Sequence, residues 1–376
     1  MTKGPGGKPK AKGAAKRELG CVSEWFGHRV HPSVSHDTSA MADQEAKRCP
    51  FLSAAKHADT PCVKPDASNG ICTISAASNG PRQDWLVCPF RAFQPAIIES
   101  AMCRIFGIDE REPKVVIPVT TLASEDVRRG FQDALKKGTK GFLYLSGKLG
   151  GEISISPTPR SPELSFDVTL VEVARSGSSF GPKRYGILEV QTMDFHGSYR
   201  AVVKNLEDAL RLHKAKFHKE VEANPEWLSQ SIEGPNIANV FKRTFYQMML
   251  KFQIAGRGSC AGCVLAIPVS VWDSWQRHLG RPDLKPIGGN LYSLHRKEAR
   301  AVNAWIYVFD IDASAKGTPS PIALKKVIAT DAESIAYFAL NVAPEAALAT
   351  GGSADRVLAT VAARIAALWP GFSLLP

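Results

Sequence analysis

The chain has 376 residues, with 47 lysines and arginines against 36 aspartates and glutamates, and a formal net charge of +11. Its hydrophobic fraction of 44% is that of an ordinary globular protein, which excludes disorder throughout the chain. No uncharged apolar run reaches the roughly 18 to 20 residues of a membrane span, and no apolar segment follows the basic N-terminus, so we expect a soluble, cytoplasmic protein.

Positive charge is concentrated at the N-terminus but is not confined to it. Residues 1–20 hold six basic residues against Glu18, so this segment carries +5 and the remainder of the chain carries +6. The segment is rich in Gly, Pro and Lys without apolar periodicity, which predicts a disordered basic arm. The excess in the remaining chain favours a polyanionic partner such as nucleic acid, although a solvated basic surface would have the same composition.

Four of the eight cysteines fall within 40 residues in a region, residues 21–100, that is broken by Gly, Pro, Asn and Asp: Cys49, Cys62, Cys72 and Cys88. In a reducing compartment a disulfide framework is disfavoured, so this clustering predicts a four-cysteine metal-binding module. Zinc is the default ion for four thiolates, and buried, inert thiols are the alternative. Four thiolates complete a tetrahedral shell, so His28, His31 and His36 are expected on the surface. Cys260 and Cys263 open an apolar run and are expected in the core.

From residue 101 onward the sequence predicts an α/β fold. Periodicity predicts strands at 142–145, 152–156, 165–173, 185–193, 264–269 and 304–311, and helices at 125–137, 200–222, 236–252 and 331–369. The helix at 236–252 carries an apolar stripe, and we place Lys242, Arg243 and Lys251 on its other face. Residues 101–376 are therefore expected to form one core with C-terminal helices.

Two acids in this region are candidates for metal binding. Alternation along 185–193 puts Glu189 and Gln191 on one face, and Asp167 lies on the preceding predicted strand. If the two strands form a hairpin around 176–182, Asp167 and Glu189 converge and offer the one or two carboxylates that Mg²⁺ takes. The alternative is that these are solvated hairpin residues.

The sequence resembles Type II restriction endonucleases of the PD-(D/E)xK nuclease superfamily over most of its length from about residue 24. The runs that carry the resemblance are EWFGHRV, CPFLSAAK, DWLVCP, KLGGEISIS, SPELSFD, YGILEVQTMDFHGSY and EGPNIANVFKRTFYQM. The resemblance implies a PD-(D/E)xK restriction-endonuclease core, a mixed central sheet flanked by helices, following the four-cysteine module.

The implied activity is Mg²⁺-dependent hydrolysis of both strands of double-stranded DNA at a GC-rich palindrome of the GCGGCCGC type, leaving 5′-phosphates. A homodimer in a bacterial restriction-modification system, with a cognate DNA methyltransferase as a partner, is implied as well. So is iron, in place of zinc, as the structural metal of the four cysteines.

The resemblance also implies site residues. Asp167, Glu189 and Gln191 correspond to the active-site motif, with Gln191 where lysine is usual, and Glu152 is an additional acid. Asp167, Glu189 and the Val190 carbonyl are expected to hold Mg²⁺. A neutral amide cannot accept a proton, so Gln191 is expected to position other groups of the site and not to act as the general base. Water activation then falls to the metal, to Glu152 or to a DNA phosphate.

Five basic residues are predicted to contact DNA: Arg91, Lys183, Arg184, Lys242 and Arg243. Arg91 follows the last cysteine of the predicted metal site, and a surface salt bridge is an equal alternative for it. Two other functions stay open on the sequence: a structure-specific or repair-type nuclease of the same fold, and a DNA-binding protein that does not cleave.

Overall fold

The computed structural model describes residues 20–78, 80–296, 301–312, 314–315, 318–349, 354–369 and 371–372. The predicted basic arm, apart from Gly20, lies outside these residues. Within the described residues no helix is both long and apolar enough to cross a membrane.

Seventeen strands are found in the described part of the chain: β1 Cys21–Trp25, β2 His28–Arg29, β3 Ile71–Ala77, β4 Arg82–Leu86, β5 Lys114–Pro118, β6 Lys140–Ser146, β7 Ile153–Ile155, β8 Leu164–Phe166, β9 Val168–Ser176, β10 Ser179–Val190, β11 Phe195–Gly197, β12 Ile232–Pro235, β13 Cys260–Pro268, β14 Lys285–Gly288, β15 Leu291–Ser293, β16 Ala304–Ile311 and β17 Ile322–Thr330.

The α-helices found there are α1 Thr38–Glu45, α2 Pro50–Lys56, α3 Pro95–Phe106, α4 Glu125–Lys136, α5 Arg200–His213, α6 Phe217–Ala223, α7 Ile237–Ile254, α8 Val269–Trp275, α9 Ala332–Tyr337, α10 Ala343–Ala349 and α11 Ala354–Ala366.

Nine strands form one mixed sheet in the order β14-β15-β17-β16-β13-β10-β9-β6-β5. At its centre β10 pairs in parallel with β13 and antiparallel with β9. Side chains alternate between the two faces of the sheet, so Ile187 and Leu265 pack with α5 and α7, whereas Leu188 and Val264 pack with α3. The predicted α/β architecture, a large mixed sheet flanked by helices, is confirmed.

The N-terminal region forms a second sheet in the order β2-β1-β3-β4. Its buried side chains, among them Val22, Trp25 and Ile74, belong to the same hydrophobic core as those of α5 and α7. The ring of Trp25, for example, lies 6.0 Å from that of Phe217 on α6. Residues 21–100 are thus joined to the following chain by shared apolar packing.

One histidine in this region is placed differently from the prediction. His28 is fully buried, and its Nε2 lies 2.8 Å from Asp43 Oδ2 while its Nδ1 lies 2.6 Å from Thr318 Oγ1. The surface prediction for His28 was wrong because two hydrogen-bonding partners, one of them distant in sequence, satisfy both ring nitrogens of the buried imidazole. His36 is exposed, as predicted.

The predicted hairpin between the two candidate acids is confirmed as β9 and β10. Near its turn Ser176 pairs with Ser179, and at its other end Val168 pairs with Leu188. The register shifts after Pro182, where Lys183 is an extra residue on β10, that is, a β-bulge. The strand predicted at 165–173 is split into β8 and β9 by a bend at Asp167.

Candidate functional site

Asp167 and Glu189 lie opposite each other at the open end of the hairpin. The Asp167 backbone N–H donates to Glu189 Oε1 at 3.2 Å, and the Val190 N–H donates to Asp167 Oδ2 at 3.0 Å. Each carboxylate is therefore held by the backbone of the opposite strand. The sequence prediction that hairpin pairing brings these two acids together is confirmed.

The two acids line a cavity of ≈ 270 Å³, which we call the carboxylate pocket, between the end of β10 and α7. Its charged and polar lining includes Asp167, Glu189, Gln191, Arg243, Thr244 and Lys251. Gln191 is held in place, because its Nε2 donates to the Thr192 carbonyl at 2.5 Å and its Oε1 accepts from Thr244 Oγ1 at 2.6 Å. A fixed neutral amide fits the predicted positioning role.

Glu189 has a strongly perturbed carboxyl group. Burial raises its pKa, and the negative charge of Asp167 raises it further, so that the pKa reaches about 7 despite the opposing charge of Lys251. A bound cation would stabilise such a pair of carboxylates, because its charge would offset their mutual repulsion and replace the proton. A perturbed group of this kind in a cavity marks a candidate functional site.

Lys251 belongs to the carboxylate pocket, and sequence reasoning missed it. It is only 2% exposed, and its Nζ donates to Glu189 Oε2. Our placement of Lys251 on the outer face of its helix was wrong, because Val240, Thr244, Met248 and Lys251 are buried along one side of α7. This spacing of four, four and three residues was readable in the sequence, but a lysine was not expected in a buried row.

Glu152 is not part of the pocket lining. It is exposed, and its carboxylate lies close to Gly147. The antiparallel pairing of β7 with β8 ends at Ile153 and Phe166, and Glu152 and Asp167 are the chain neighbours of that last pair. The predicted additional acid therefore follows directly on the strand pair that leads to Asp167, with its side chain outside the cavity.

The predicted DNA contacts fall into two places. Lys183 and Arg184 both pair with Glu172, at 3.2 and 2.8 Å, and Lys183 lies about 20 Å along β10 from Glu189. Arg243 lines the carboxylate pocket and makes a half-exposed pair with Asp194 at 3.0 Å. Lys242, its neighbour on α7, is exposed. Arg243 is therefore the basic residue of the five that the fold brings to the acids.

Arg91 is fully buried. Its Nε and Nη2 donate to the two carboxylate oxygens of Glu24 at 2.9 and 3.0 Å, and Nη2 also donates to the Ser320 carbonyl at 2.7 Å. Neither the predicted DNA contact nor the surface salt bridge describes this residue, because the guanidinium is enclosed with its carboxylate partner. We therefore remove Arg91 from the candidate DNA contacts.

The four predicted cysteine ligands come together. Cys49, Cys62, Cys72 and Cys88, the cysteine cluster, line one cavity of ≈ 10 Å³, the size of a single water molecule or ion. A hydrogen bond from the Cys72 thiol lowers the pKa of Cys88 to about 6, burial opposes this shift, and the charge of Lys64 favours it. The same bond and burial raise the pKa of Cys72.

Cys263 and Cys260 are buried in β13, as predicted for core residues.

Among the described residues, no three or more His, Cys, Asp or Glu side chains are arranged to hold a metal ion. The donor chemistry of both sites nevertheless suits one. Mg²⁺ takes one or two carboxylates and keeps several waters, which matches Asp167 and Glu189. In the cysteine cluster a cation would favour the thiolate form of the side chains that line the cavity, since thiolates are the ligating form.

Comparisons with known proteins add no family assignment. No protein-family model matches the chain, and no curated protein is significantly similar to it.

Proposed function

We propose that the chain is a Mg²⁺-dependent Type II restriction endonuclease that cuts both strands of double-stranded DNA at a GC-rich palindrome of the GCGGCCGC type. The observation that carries the proposal is the pair Asp167 and Glu189, joined by reciprocal backbone hydrogen bonds at the open end of a hairpin and lining one cavity. The sequence runs quoted above and the charge of +6 outside the N-terminal arm support the choice of DNA as substrate.

Asp167 and Glu189 would hold Mg²⁺, and Gln191 would orient the substrate or the attacking water beside them. When bound, the metal supplies positive charge to the scissile phosphate and lowers the pKa of a water molecule. A water oxygen bonds to phosphorus as the P–O3′ bond breaks, which leaves a 5′-phosphate and a 3′-hydroxyl. Glu152, which follows directly on the strand pair that leads to Asp167, would orient the water.

Arg243 and Lys242 on α7 are the proposed phosphate contacts, because Arg243 lies at the pocket itself. Arginine or lysine facing guanine, and acids facing cytosine, would read a GC-rich site in the major groove. A palindrome requires a two-fold arrangement of two active sites, so the proposed enzyme is a homodimer. A methyltransferase of the same specificity would protect host DNA.

The cysteine cluster is proposed to hold a structural iron, with zinc as the alternative ion. Four thiols that line one ion-sized cavity support this, as does Lys64, whose charge favours the Cys88 thiolate. Elemental analysis of the purified protein tests it: about one iron or zinc per chain is expected, and Cys72→Ser should lower that content. A metal-free, fully folded protein would contradict it.

One experiment tests the proposed activity. Purified protein and Mg²⁺ are incubated with matched plasmids that contain or lack GCGGCCGC, and the DNA ends are sequenced. Discrete ends at one palindrome support the proposal. Scattered ends indicate a nuclease that ignores sequence, and intact plasmid indicates a DNA-binding protein without cleavage. Light scattering coupled to size-exclusion chromatography checks the expected dimer.

A further inference from the structure

We propose that Lys251 is a catalytic residue: its ammonium pairs with Glu189 until a divalent cation takes that carboxylate, and it then moves to the scissile phosphate. This inference rests on the proposed function and assigns the positive charge that Gln191 does not supply. Its starting point is the contact between Lys251 Nζ and Glu189 Oε2 inside the carboxylate pocket.

A buried lysine at this position lowers the stability of the fold, which indicates that it is retained for a function. Removing an ammonium from water costs several kcal/mol, and the neighbouring buried positions of α7, Met248 and Phe252, are apolar. Packing alone would be served as well by methionine. The chain instead places a cation beside apolar side chains. One of them is the Phe166 ring, whose centroid lies 5.9 Å from Lys251 Nζ.

The ammonium is incompletely bonded where it lies. Among the described residues, Glu189 is its single hydrogen-bond acceptor, although an ammonium has three N–H donors. The side chain lines a cavity of ≈ 270 Å³, so an additional acceptor can enter beside it. A phosphate oxygen held against Asp167 and Glu189 would be such an acceptor.

A divalent cation on Glu189 would repel Lys251. Both positive charges cannot share one carboxylate at close range without a large Coulomb cost in a poorly solvated site. The lysine has a flexible four-carbon stem, and it is anchored on α7 while both acids are anchored on the sheet. The ammonium can therefore leave Glu189 without disturbing either acid.

The other cation at the pocket is less suited to this role. Arg243 is paired with Asp194 and is about half exposed, so water screens its charge. Gln191 is neutral and held by Thr244 and Thr192. Lys251 is thus the buried positive charge at the carboxylates, and a buried charge stabilises a developing negative charge more strongly than an exposed one.

Chemical labelling of lysines tests the exchange without measuring activity. The full chain is acetylated briefly in EDTA, in Ca²⁺, and in Ca²⁺ with a GCGGCCGC duplex, and modification at each lysine is quantified by mass spectrometry. Labelling of Lys251 should rise at least about fivefold from EDTA to Ca²⁺, because release from a buried ion pair removes its protection, and should fall again with DNA. Lys242, exposed on the same helix, is the control between EDTA and Ca²⁺.

Thermal unfolding with and without Ca²⁺ is measured in parallel. If Ca²⁺ raises the melting temperature but Lys251 labelling stays at its EDTA level, the cation binds without displacing Lys251. That result contradicts the inference and supports the proposed metal site. If Ca²⁺ changes neither, and Asp167→Asn removes no metal binding, both the inference and the proposed metal site fail.

Variants test the catalytic role. Lys251→Met should lower the single-turnover cleavage rate about 10² to 10³-fold, while the affinity for duplex DNA in Ca²⁺ falls by no more than about tenfold, the loss of one phosphate contact. The double variant Gln191→Lys/Lys251→Gln, which moves the ammonium to the opposite wall of the pocket, should cleave at least about tenfold faster than Lys251→Gln alone. Rescue of this kind is not expected of a lysine that only supports folding.

A folded Lys251→Met enzyme that cleaves at the wild-type rate would overturn the inference. Urea unfolding of the variant shows whether it is folded, and the labelling experiment on the unmodified chain stands if it is not. Wild-type protein that cleaves no DNA would defeat the proposed function, while labelling would still decide whether Lys251 exchanges with a cation.

Discussion

Among the described residues, Glu24 with Arg91 and Glu189 with Lys251 are pairs in which both the glutamate and the basic residue are buried, and the two pairs are built differently. Glu24 receives two hydrogen bonds from Arg91 and one from Thr73, and Arg91 also donates to Ser320. Glu189 receives one contact from Lys251 and one from a backbone N–H, and it faces a second carboxylate. The first pair is enclosed by protein, whereas the second lines a cavity.

The carboxyl pKa values respond in opposite directions. Burial raises the pKa of Glu24, but the charge and hydrogen bonds of Arg91 outweigh it, so the pKa lies below its usual range. For Glu189, burial and the charge of Asp167 outweigh Lys251, and the pKa rises to about 7. We call the Glu24 pair balanced, because its basic partner outweighs the effect of burial on the carboxyl pKa, and the Glu189 pair unbalanced, because its partner does not. A buried ion pair alone is therefore no sign of function, whereas an unbalanced pair that lines a cavity is one.

The largest expected effect lies in the unbalanced pair. Asp167→Asn should reduce cleavage at least about 10³-fold, equivalent to about 4 kcal/mol, because one of two metal-binding carboxylates is lost. Stability should change little, since the amide oxygen can still accept from the Val190 N–H. Single-turnover cleavage in Mg²⁺ and urea unfolding measure the two effects. A variant that cleaves normally would remove Asp167 from the active site.

The balanced pair should give the reverse result. Arg91→Met leaves Glu24 buried without its cation and should lower the free energy of unfolding by about 3–4 kcal/mol. Urea unfolding at neutral pH measures this loss, and cleavage per folded molecule should stay close to wild type. Selective loss of DNA affinity in a stable variant would restore the original prediction that Arg91 contacts DNA.

The two glutamates should also respond oppositely to pH. The pKa of Glu189 rises from 4.5 to about 7 on folding, so the folded protein binds the extra proton more tightly. Its contribution to stability is fully present below pH 4.5 and is lost as pH rises through 7, a change of about 3 kcal/mol. Glu24, with a lowered pKa, contributes above its unfolded pKa and loses that contribution as pH falls.

Urea unfolding in EDTA at pH 5 and pH 8 measures this difference in the wild type, Glu189→Gln and Glu24→Gln. The stability of Glu189→Gln relative to wild type should improve at pH 8, whereas that of Glu24→Gln should stay nearly constant, because both pH values lie above the unfolded pKa of Glu24. Parallel pH profiles for all three proteins would show that Glu189 titrates normally.

A smaller effect is expected for the acid outside the cavity. Glu152→Gln should slow cleavage about tenfold at limiting Mg²⁺, with unchanged stability, because its exposed side chain lies beside the pocket and not in it. Cleavage rates across a Mg²⁺ titration measure it. A loss as large as that of Asp167→Asn would instead make Glu152 a metal ligand.

The smallest effects concern DNA affinity. Arg243→Ala should weaken duplex binding in Ca²⁺ about three- to tenfold and reduce its salt dependence by about one phosphate contact. Arg184→Ala, near the middle of β10 and paired with Glu172, should change the affinity less than about twofold. Fluorescence anisotropy at several salt concentrations compares the two. Equal losses would place DNA along the whole hairpin.

The elements that sequence patterns predicted well are those with strong local signals. The hairpin that joins Asp167 to Glu189 follows from alternating residues around a turn rich in glycine and serine, and α7 follows from helical spacing. Clustering in sequence likewise indicated that the four cysteines lie in one region of the fold, where they line one cavity.

The failures have one physical cause. Arg91, His28 and Lys251 carry groups that usually face water, and each is buried beside a hydrogen-bonding partner far along the chain. Those partners are set by tertiary packing, which periodicity does not encode. For Lys251 the helical row was visible, but its charge argued for the surface until Glu189 was placed beside it.

The β-bulge at Lys183 shifts the strand register by one residue between the two ends of the hairpin. Near the turn Pro182 stands opposite Val173, and past the extra residue Arg184 stands opposite Glu172. Continued without the bulge, the turn-side register would set Leu188 across from Asp167; with it, Glu189 takes that position. The alignment of the two acids is therefore set near the middle of the strand. Lys183 sets it as an inserted backbone residue, independently of the contacts of its side chain.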